Sequence, residues 1–499
     1  MISSLSLEIT VLLLGIFMLL VESFSKSDDK RGLAKTAITI LTALVGFSFF
    51  AKLDDTTDPE KLKHLLYLAD ASAMFFKRIA LLTTIVVLVM ALEYKSVLAK
   101  FIPGITPGAG LGEFYSLPVF TCAGLMFMAS AVDFLLIFVS LELVTISFYV
   151  LVAYLRRHTA SLEAGVKYLI LGALSTGFLV YGITWIFGVT GETNLAAIEQ
   201  VLETREVAHA PLLFGIMLLL VGLGFKVAAA PFQIWVPDVY QGAPTPITAF
   251  LSVGSKAAGF IVLIRVLQPF VGAEGIGQPV IQVVSILAGL TLLFGNLAAL
   301  PQDNFKRLLA YSSIAHAGYL LVAIASVSAN TEGVGASRDA VGFYLAGYLL
   351  MTLLSFLVLV VVANHSRGDD IMHFNGLAKR SPFLAFGMLT AMLSLAGVPF
   401  TAGFIGKFLV FATAVQAGKF VLVGLGIITV AAGFYYYLRI VAAMYWQEPN
   451  DDTKITLNPL SKFTIGALTA AIFFFGIFPQ PILNSLHGSI ARPAVHASR

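Results

Sequence analysis

The chain has 499 residues, of which 58% are hydrophobic and 12% charged, and its formal net charge is +3. An ordinary soluble domain is about 25% charged, so this composition excludes a water-soluble globular protein, and so small a net charge gives no reason to expect nucleic acid. The lone cysteine, Cys122, excludes an intrachain disulfide or a cysteine-held iron–sulfur site and reads as a small buried hydrophobe.

Apolar runs of about 20 residues, the length a helix needs to cross a bilayer, recur along the whole chain. They predict an all-α polytopic membrane protein with about 14 transmembrane helices. The spans lie near 3–23, 34–52, 74–93, 115–132, 134–155, 165–188, 211–230, 247–267, 279–300, 308–327, 341–363, 383–410, 420–445 and 463–483. The first run, MISSLSLEITVLLLGIFMLLVESF, has no basic stretch before it and carries Glu8, so it reads as a retained helix rather than a cleaved signal. Odd-numbered loops hold most of the basic residues, among them Lys26, Lys30, Arg31, Lys95, Arg156, Arg157, Lys306, Arg307, Arg367, Lys379 and Arg380. Positive-inside bias puts those loops in the cytoplasm and both termini outside. The longest hydrophilic stretches, near 53–73 and 189–210, then face outward.

The fifth span, DFLLIFVSLELVTISFYVLVAYL, holds Glu142 on one helical face with Thr145 and Tyr149. A charge at mid-bilayer costs roughly 3 kcal/mol or more, so it points to a transport path and a partner. A hydrogen-bonded structural carboxylic acid is the plainer alternative. Lys167 begins the sixth span four residues after Glu163, the spacing and order of an intrahelical ion pair. That pair accounts for it as well as a proton path does.

In the seventh span, GFKVAAAPFQIWVPD, Lys226 stands just ahead of Pro231. A proline inside a helix has no N–H and clashes with the carbonyl four residues back, here that of Val227. Free carbonyls at membrane depth survive only inside protein or beside water. The break is therefore a hydrated spot with a lysine beside it, or else a simple packing kink. Asp238 follows near the turn into the eighth span, where capping explains it as well as proton exit. Lys256 lies about ten residues into ITAFLSVGSKAAGFIVLI, near mid-depth, on a face with Thr248 and Ser252.

His316 lies in RLLAYSSIAHAGYLL with Ser312, Ser313 and Tyr319 on its face, and suits a proton relay or a satisfied core position. In the twelfth span, SLAGVPFTAGFIGKF, Pro399 frees the carbonyl of Leu395 and Lys407 follows. AAAPF (228–232) and AGVPF (396–400) form a weak internal repeat. Paired Pro-interrupted helices in two halves mark the working site of an inverted-repeat transporter. GAGLGE (108–113) follows no strand and lacks the full GxGxxG spacing. The sequence carries no Walker motif, no CxxC and no His/carboxylate metal spacing. It therefore shows no means of binding NADH, flavin, ATP, iron–sulfur clusters or a metal, and its energy source must be partner subunits or an ion gradient.

KVAAAPFQIWVPDVYQGAPTPITAFLSVGSKAAGF (226–260), RLLAYSSIAHAGYLL (307–321) and LSLAGVPFTAGFIGKF (393–408) carry a resemblance that spans nearly the whole chain. The sequence resembles the proton-conducting membrane-subunit family shared by respiratory complex I and multisubunit cation/proton antiporters. APTPITAF followed by SVGSKAAGF is most similar to the subunit-N branch of bacterial NADH-quinone oxidoreductase (NDH-1). The resemblance implies two inverted five-helix repeats with helices 7 and 12 broken. Residues 1–114 would form helices 1–3, 115–268 the first repeat (helices 4–8), 279–445 the second (helices 9–13), and 446–499 helix 14 and a tail.

The resemblance also implies that Glu142, Lys167, Lys226, Lys256 and Lys407 carry proton translocation, with Lys167 modulating the glutamate and His316 a candidate relay. It implies a translocase subunit with no redox site of its own. Electron transfer from NADH to quinone, with FMN and iron–sulfur clusters, would occur in partner subunits and drive proton pumping here. The expected neighbours are another antiporter-like subunit, small membrane subunits and the lipid of a bacterial inner membrane. Gln233 departs from the family, many of whose members have histidine there, so a titrating role at that position is lost or moves to His316. The alternative is a subunit of a multisubunit Na⁺/H⁺ antiporter, driven by an ion gradient. A purely structural scaffold is disfavoured by the cost of so many buried charges.

Overall fold

In lipid every backbone N–H and C=O must find a partner within the protein, and helices achieve this segment by segment. A computed structural model describes residues 2–25, 30–54, 59–101, 112–327, 331–365, 368–449 and 454–486, and the chain there is almost entirely helical. Two-residue segments, Ile2–Ser3 and Ala51–Lys52, make one short parallel pairing. Lys26, Arg367, positions 108–111 of the GAGLGE run and the tail from 487 lie outside the described residues.

The spans follow in order. The first six are α1 (Leu5–Phe24), α2 (Arg31–Phe47), α3 (Ala71–Glu93), α4 (Gly112–Ser130), α5 (Phe134–Val152) and α6 (Thr159–Thr190). Then come α7a (His209–Val227) and α7b (Val236–Gly242), α8 (Thr245–Val271), α9 (Gly277–Ala299), α10 (Phe305–Ala325) and α11 (Thr331–His365). The chain closes with α12a (Pro382–Ala396) and α12b (Ala402–Gln416), α13 (Phe420–Trp446) and α14 (Pro459–Ile477). Eleven of these are long and apolar enough to cross a membrane by themselves. With α2, α4 and the broken α12 the expected fourteen are reached.

Breaks fall at the fourth helix of α4–α8 and at the fourth of α9–α13. Because each set has five helices, the second begins on the opposite side from the first, so the two are inverted. The twelfth span is broken, as expected, into two short helices, and the second runs past 410 to Gln416.

Caps set the helix starts. Asp70 accepts a hydrogen bond from Ala73 N at the start of α3, Asp133 from Leu135 N at α5, and Asn304 from Arg307 N at α10. The Asp133 cap explains how α4 and α5 can almost touch and still be separate. Backbone bridges Tyr67–Ala131 and Asp133–Asn194 tie loops 2, 4 and 6 together. Asn304–Asp370 ties loops 9 and 11, so even and odd loops gather at opposite ends. α8, α10 and α11 are almost wholly buried, whereas α1, α6 and α13 turn most of their length outward. The buried three carry Lys256, Ser313, His316 and Tyr344, the middle of the polar line.

Candidate functional site

α5, α6 and α7a build the first part. α6 and α7a cross closely enough that a Cβ at Gly182 would lie 2.7 Å from the Gly215 carbonyl oxygen. Lys226 is buried in the last turn of α7a, and its Nζ donates to Thr145 Oγ1 at 2.8 Å. Glu142 lies one turn away on α5, half-buried, and accepts a hydrogen bond from Thr176 Oγ1 of α6 at 2.8 Å. No cation among the described residues lies within ion-pair distance of Glu142. Its position continues an outward stripe of Leu135, Val139, Ile146 and Val150, so its carboxylate stands at the edge of the buried region.

Lys167 lies elsewhere. Its side chain is 40% exposed and pairs with Glu163 Oε1 at 2.7 Å and Asp238 Oδ2 at 2.6 Å. Asp238, on α7b, also binds Arg307 of α10 at 2.8 Å. The structure thus joins Lys167 to the far half of the broken helix and does not bring it to Glu142.

The α7 break is sharper than a proline kink. Helix geometry ends at Val227, Ala228 takes a left-handed conformation with φ 66°, and Pro231 falls in the non-helical link before α7b. At the other break Phe400 has φ 68°, and these are the two non-glycine residues of positive φ among the described residues. Strained backbone of this kind persists only where surrounding packing imposes it, and it gathers at working sites.

Lys226 packs along α8 near Gly259, where a Cβ would meet Lys226 Cγ at 3.5 Å. Three residues away, Lys256 follows a π-helical turn over Leu251–Ser255. Its amine does not turn to Thr248 or Ser252, which bond to backbone carbonyls. It donates to Ser313 O of α10 at 2.5 Å and to Ser313 Oγ, and lies 5.6 Å from the centre of the Tyr348 ring.

From there polar groups continue along α10. Ser312 and the hydroxyl of Tyr437 are hydrogen-bonded. Tyr437 also reaches His316 Nε2 at 3.1 Å, and His316 Nδ1 lies 2.7 Å from the Tyr344 hydroxyl. Lys407 closes the line, 5.3 Å from the Tyr319 ring centre. Its Nζ donates to Leu395 O at 2.9 Å and Ala396 O at 2.7 Å, the carbonyls at the end of α12a. Gly397, with φ 90°, makes room, since a Cβ there would stand 3.0 Å from Lys407 Cδ. Beside Lys407 a cavity of about 510 Å³ opens between α12b and α13, lined by Phe404, Phe408, Phe411 and Val430 among others.

Lys77 and Lys306 are among the buried cations that sequence reasoning did not single out. Lys77 and Glu8 are both 0% exposed and form a 2.7 Å ion pair joined by Ser4 and Tyr67. Lys306 is buried at the start of α10. Both stand near the ends of apolar runs, where a basic residue looks interfacial. Gln233 is buried with its Oε1 unpartnered.

Residues 131–433 match the family described as NADH:quinone oxidoreductase/Mrp antiporter, TM. NADH-quinone oxidoreductase subunit N of Desulforamulus reducens is 38% identical over 478 residues, 95% of each chain. A chain of respiratory complex I from Thermus thermophilus is 30% identical, with a TM-score of 0.79 over 97% of this chain and 100% of its own. A chain of the Mrp complex from Dietzia sp. shares the fold at 17% identity, with a TM-score of 0.75 over 97% of this chain and 96% of its own.

Proposed function

From the premise that the chain belongs to the NADH:quinone oxidoreductase/Mrp antiporter membrane-subunit family, we propose that it is the subunit-N proton-translocating member of an NADH-quinone oxidoreductase. The observation that carries the proposal is the buried polar line from Lys256 through Ser313, Ser312, Tyr437 and His316 towards Lys407, with Lys226 and Glu142 at its other end. Buried amines and hydroxyls in this arrangement can pass protons. None of these groups can accept electrons from NADH. Redox chemistry therefore belongs to partner subunits that hold FMN, iron–sulfur clusters and quinone.

The drive is electrostatic. A change of charge at the open face of α5 reaches Glu142 first and then Lys226 one turn away. Lys226 releases its proton when the carboxylate is neutralised or drawn off, and Lys256 and the tyrosine–histidine line carry charge towards Lys407. Residues 115–268 and 279–445 act as two half-channels, with 1–114 and 446–499 as flanking helices. Lys167 acts on the position of α7b through Asp238. The complex lies in a bacterial inner membrane with the odd loops inside and both termini outside.

Mild-detergent purification of the tagged chain from its native membrane, followed by an NADH:quinone reductase assay, tests the reading. A large assembly with flavin, iron–sulfur signal and inhibitor-sensitive activity supports it. A flavin-free assembly of membrane proteins with Na⁺-dependent proton exchange overturns it in favour of an antiporter.

A further inference from the structure

Lys306 has no part in the line described above, yet its side chain is only 3% exposed. It opens α10 at the end where the odd-numbered loops gather. Its Nζ donates to the carbonyl of Ala243, at the end of α7b, at 2.6 Å. Its carboxylate neighbour is Asp369 Oδ2 at 3.7 Å, in the segment after α11, and Asp369 is 28% exposed. The Phe305 N–H fixes that segment by donating to Asp369 O at 2.8 Å.

A buried ammonium is costly unless closely paired and fully hydrogen-bonded. Here it has one short bond to a neutral carbonyl and a carboxylate at the limit of contact. Such a cation is held loosely, beside a group that touches water.

Other loops of the same face converge on this pair. His158, just ahead of α6, lies within reach of the charges of Lys306 and Asp369, and its Nδ1 is buried without a hydrogen-bond partner. Burial first, and the Lys306 charge next, hold its pKa below the usual histidine value. Tyr94, at the end of α3, faces Asp369 and bonds to Thr245 at the start of α8. Among the described residues, Asp369 and His158 thus face Lys306 from neighbouring elements, Tyr94 faces Asp369, and Arg307 follows Lys306 on its own helix.

Inward, Ser313 stands seven residues along α10, about 10 Å at 1.5 Å per residue. Ser313 is the group that receives Lys256. The Tyr240 hydroxyl lies 3.2 Å from Ser313 Oγ, and Tyr240 belongs to α7b, whose end also supplies the Ala243 carbonyl. One short half-helix therefore touches the surroundings of both lysines.

We propose that Asp369 and Lys306 form the loading site at the odd-loop face from which Lys256 is reprotonated, with Tyr240 and Ser313 between them. The Asp369 carboxylate takes a proton from bulk water. The Lys306 ammonium gives one through the intervening hydroxyls and water to the neutral amine of Lys256. Lys306, left as the amine, is refilled from Asp369, so one proton has moved from solvent to Lys256 and the loading pair is reset. The proposal rests on the proton-translocating reading above.

The test uses the whole complex in proteoliposomes, with turnover and proton uptake measured as pH is varied on the odd-loop side. Asp369→Asn and Lys306→Arg should slow coupled turnover by about tenfold at the alkaline end, where protons are scarce, and less at the acid end. Asp369→Glu should restore the wild-type profile, which a merely structural role for the aspartate would not require. Lys256→Ala is the control. If both loading variants follow the wild-type profile while Lys256→Ala is inactive, the loading site is wrong and the function stands. If Lys256→Ala also pumps normally, the functional reading itself fails. Should Lys306→Arg not assemble, Asp369→Asn, at a part-exposed position, decides the matter.

Discussion

At the α7 break the lysine comes before the proline, and its amine leaves the helix for Thr145 of α5, one turn from Glu142. At the α12 break the lysine comes after the proline, and its amine turns back onto Leu395 O and Ala396 O, the carbonyls the break releases. Both helices end in a left-handed residue, Ala228 in one and Gly397 in the other. The order of lysine and proline decides the partner. A lysine upstream of its break looks sideways at another helix, where a carboxylate can act on it. A lysine downstream is tied to backbone dipoles that carry no proton and do not titrate. The first arrangement suits a site that responds to charge. The second suits one that accepts a proton and holds it.

If this contrast is right, the first site should be the less tolerant. Lys226→Ala removes the amine that faces Glu142, and coupled quinone reduction and proton pumping should each fall by about tenfold or more in a complex that still assembles. Unchanged pumping would remove Lys226 from the centre of the mechanism. Glu142→Gln keeps an acceptor for Thr176 but loses the charge. Its turnover should fall in the same sense, and wild-type turnover in that variant would make Glu142 a structural carboxyl group.

The second site can be broken more selectively. Arginine at position 407 keeps a cation and several N–H donors for Leu395 O and Ala396 O but does not release a proton. Lys407→Arg should therefore preserve assembly and lower pumping by about tenfold. Equal activity in Lys and Arg forms would show that the α12 cation only stabilises the break.

The positions of charge were legible in the sequence because an ionisable residue inside an apolar run is conspicuous and costly. Lys226, Lys256, Lys407 and Glu142 stood out for that reason. The Leu395 carbonyl was foreseen as well, because proline chemistry names the atom it frees. The partners were less legible, being tertiary. Lys256 turns away from the Thr248 and Ser252 of its own helix because α10 presents Ser313 closer, and no spacing within α8 encodes that. Lys167 meets Asp238, 71 residues away, only because α7b folds back beside α6 after the break. Lys306 and Lys77 stand near the ends of apolar runs, where the positive-inside pattern absorbs a basic residue without asking whether it is buried. The left-handed Ala228 had no signal at all, since only glycine and, less often, asparagine or aspartate take this conformation routinely.

The finest test of the contrast concerns the hydroxyl that receives the Lys226 amine, one turn from Glu142 on α5. Thr145 Oγ1 accepts from Lys226 Nζ and itself donates to Leu141 O at 2.6 Å. Thr145→Val keeps the shape and deletes the acceptor. A buried donor left without its partner costs roughly 1–3 kcal/mol. The amine would then either turn towards Glu142, which would tighten their coupling, or lose its proton more readily. Both routes change how easily Lys226 lets go, so turnover should fall by about three- to tenfold, less than for Lys226→Ala, which removes the amine outright. Thr145→Ser restores the hydroxyl and should restore turnover. Lys407 has two backbone acceptors that no side-chain substitution removes. A wild-type rate in Thr145→Val would show that the α7 amine does not depend on Thr145 and that the two breaks differ less than their geometry indicates.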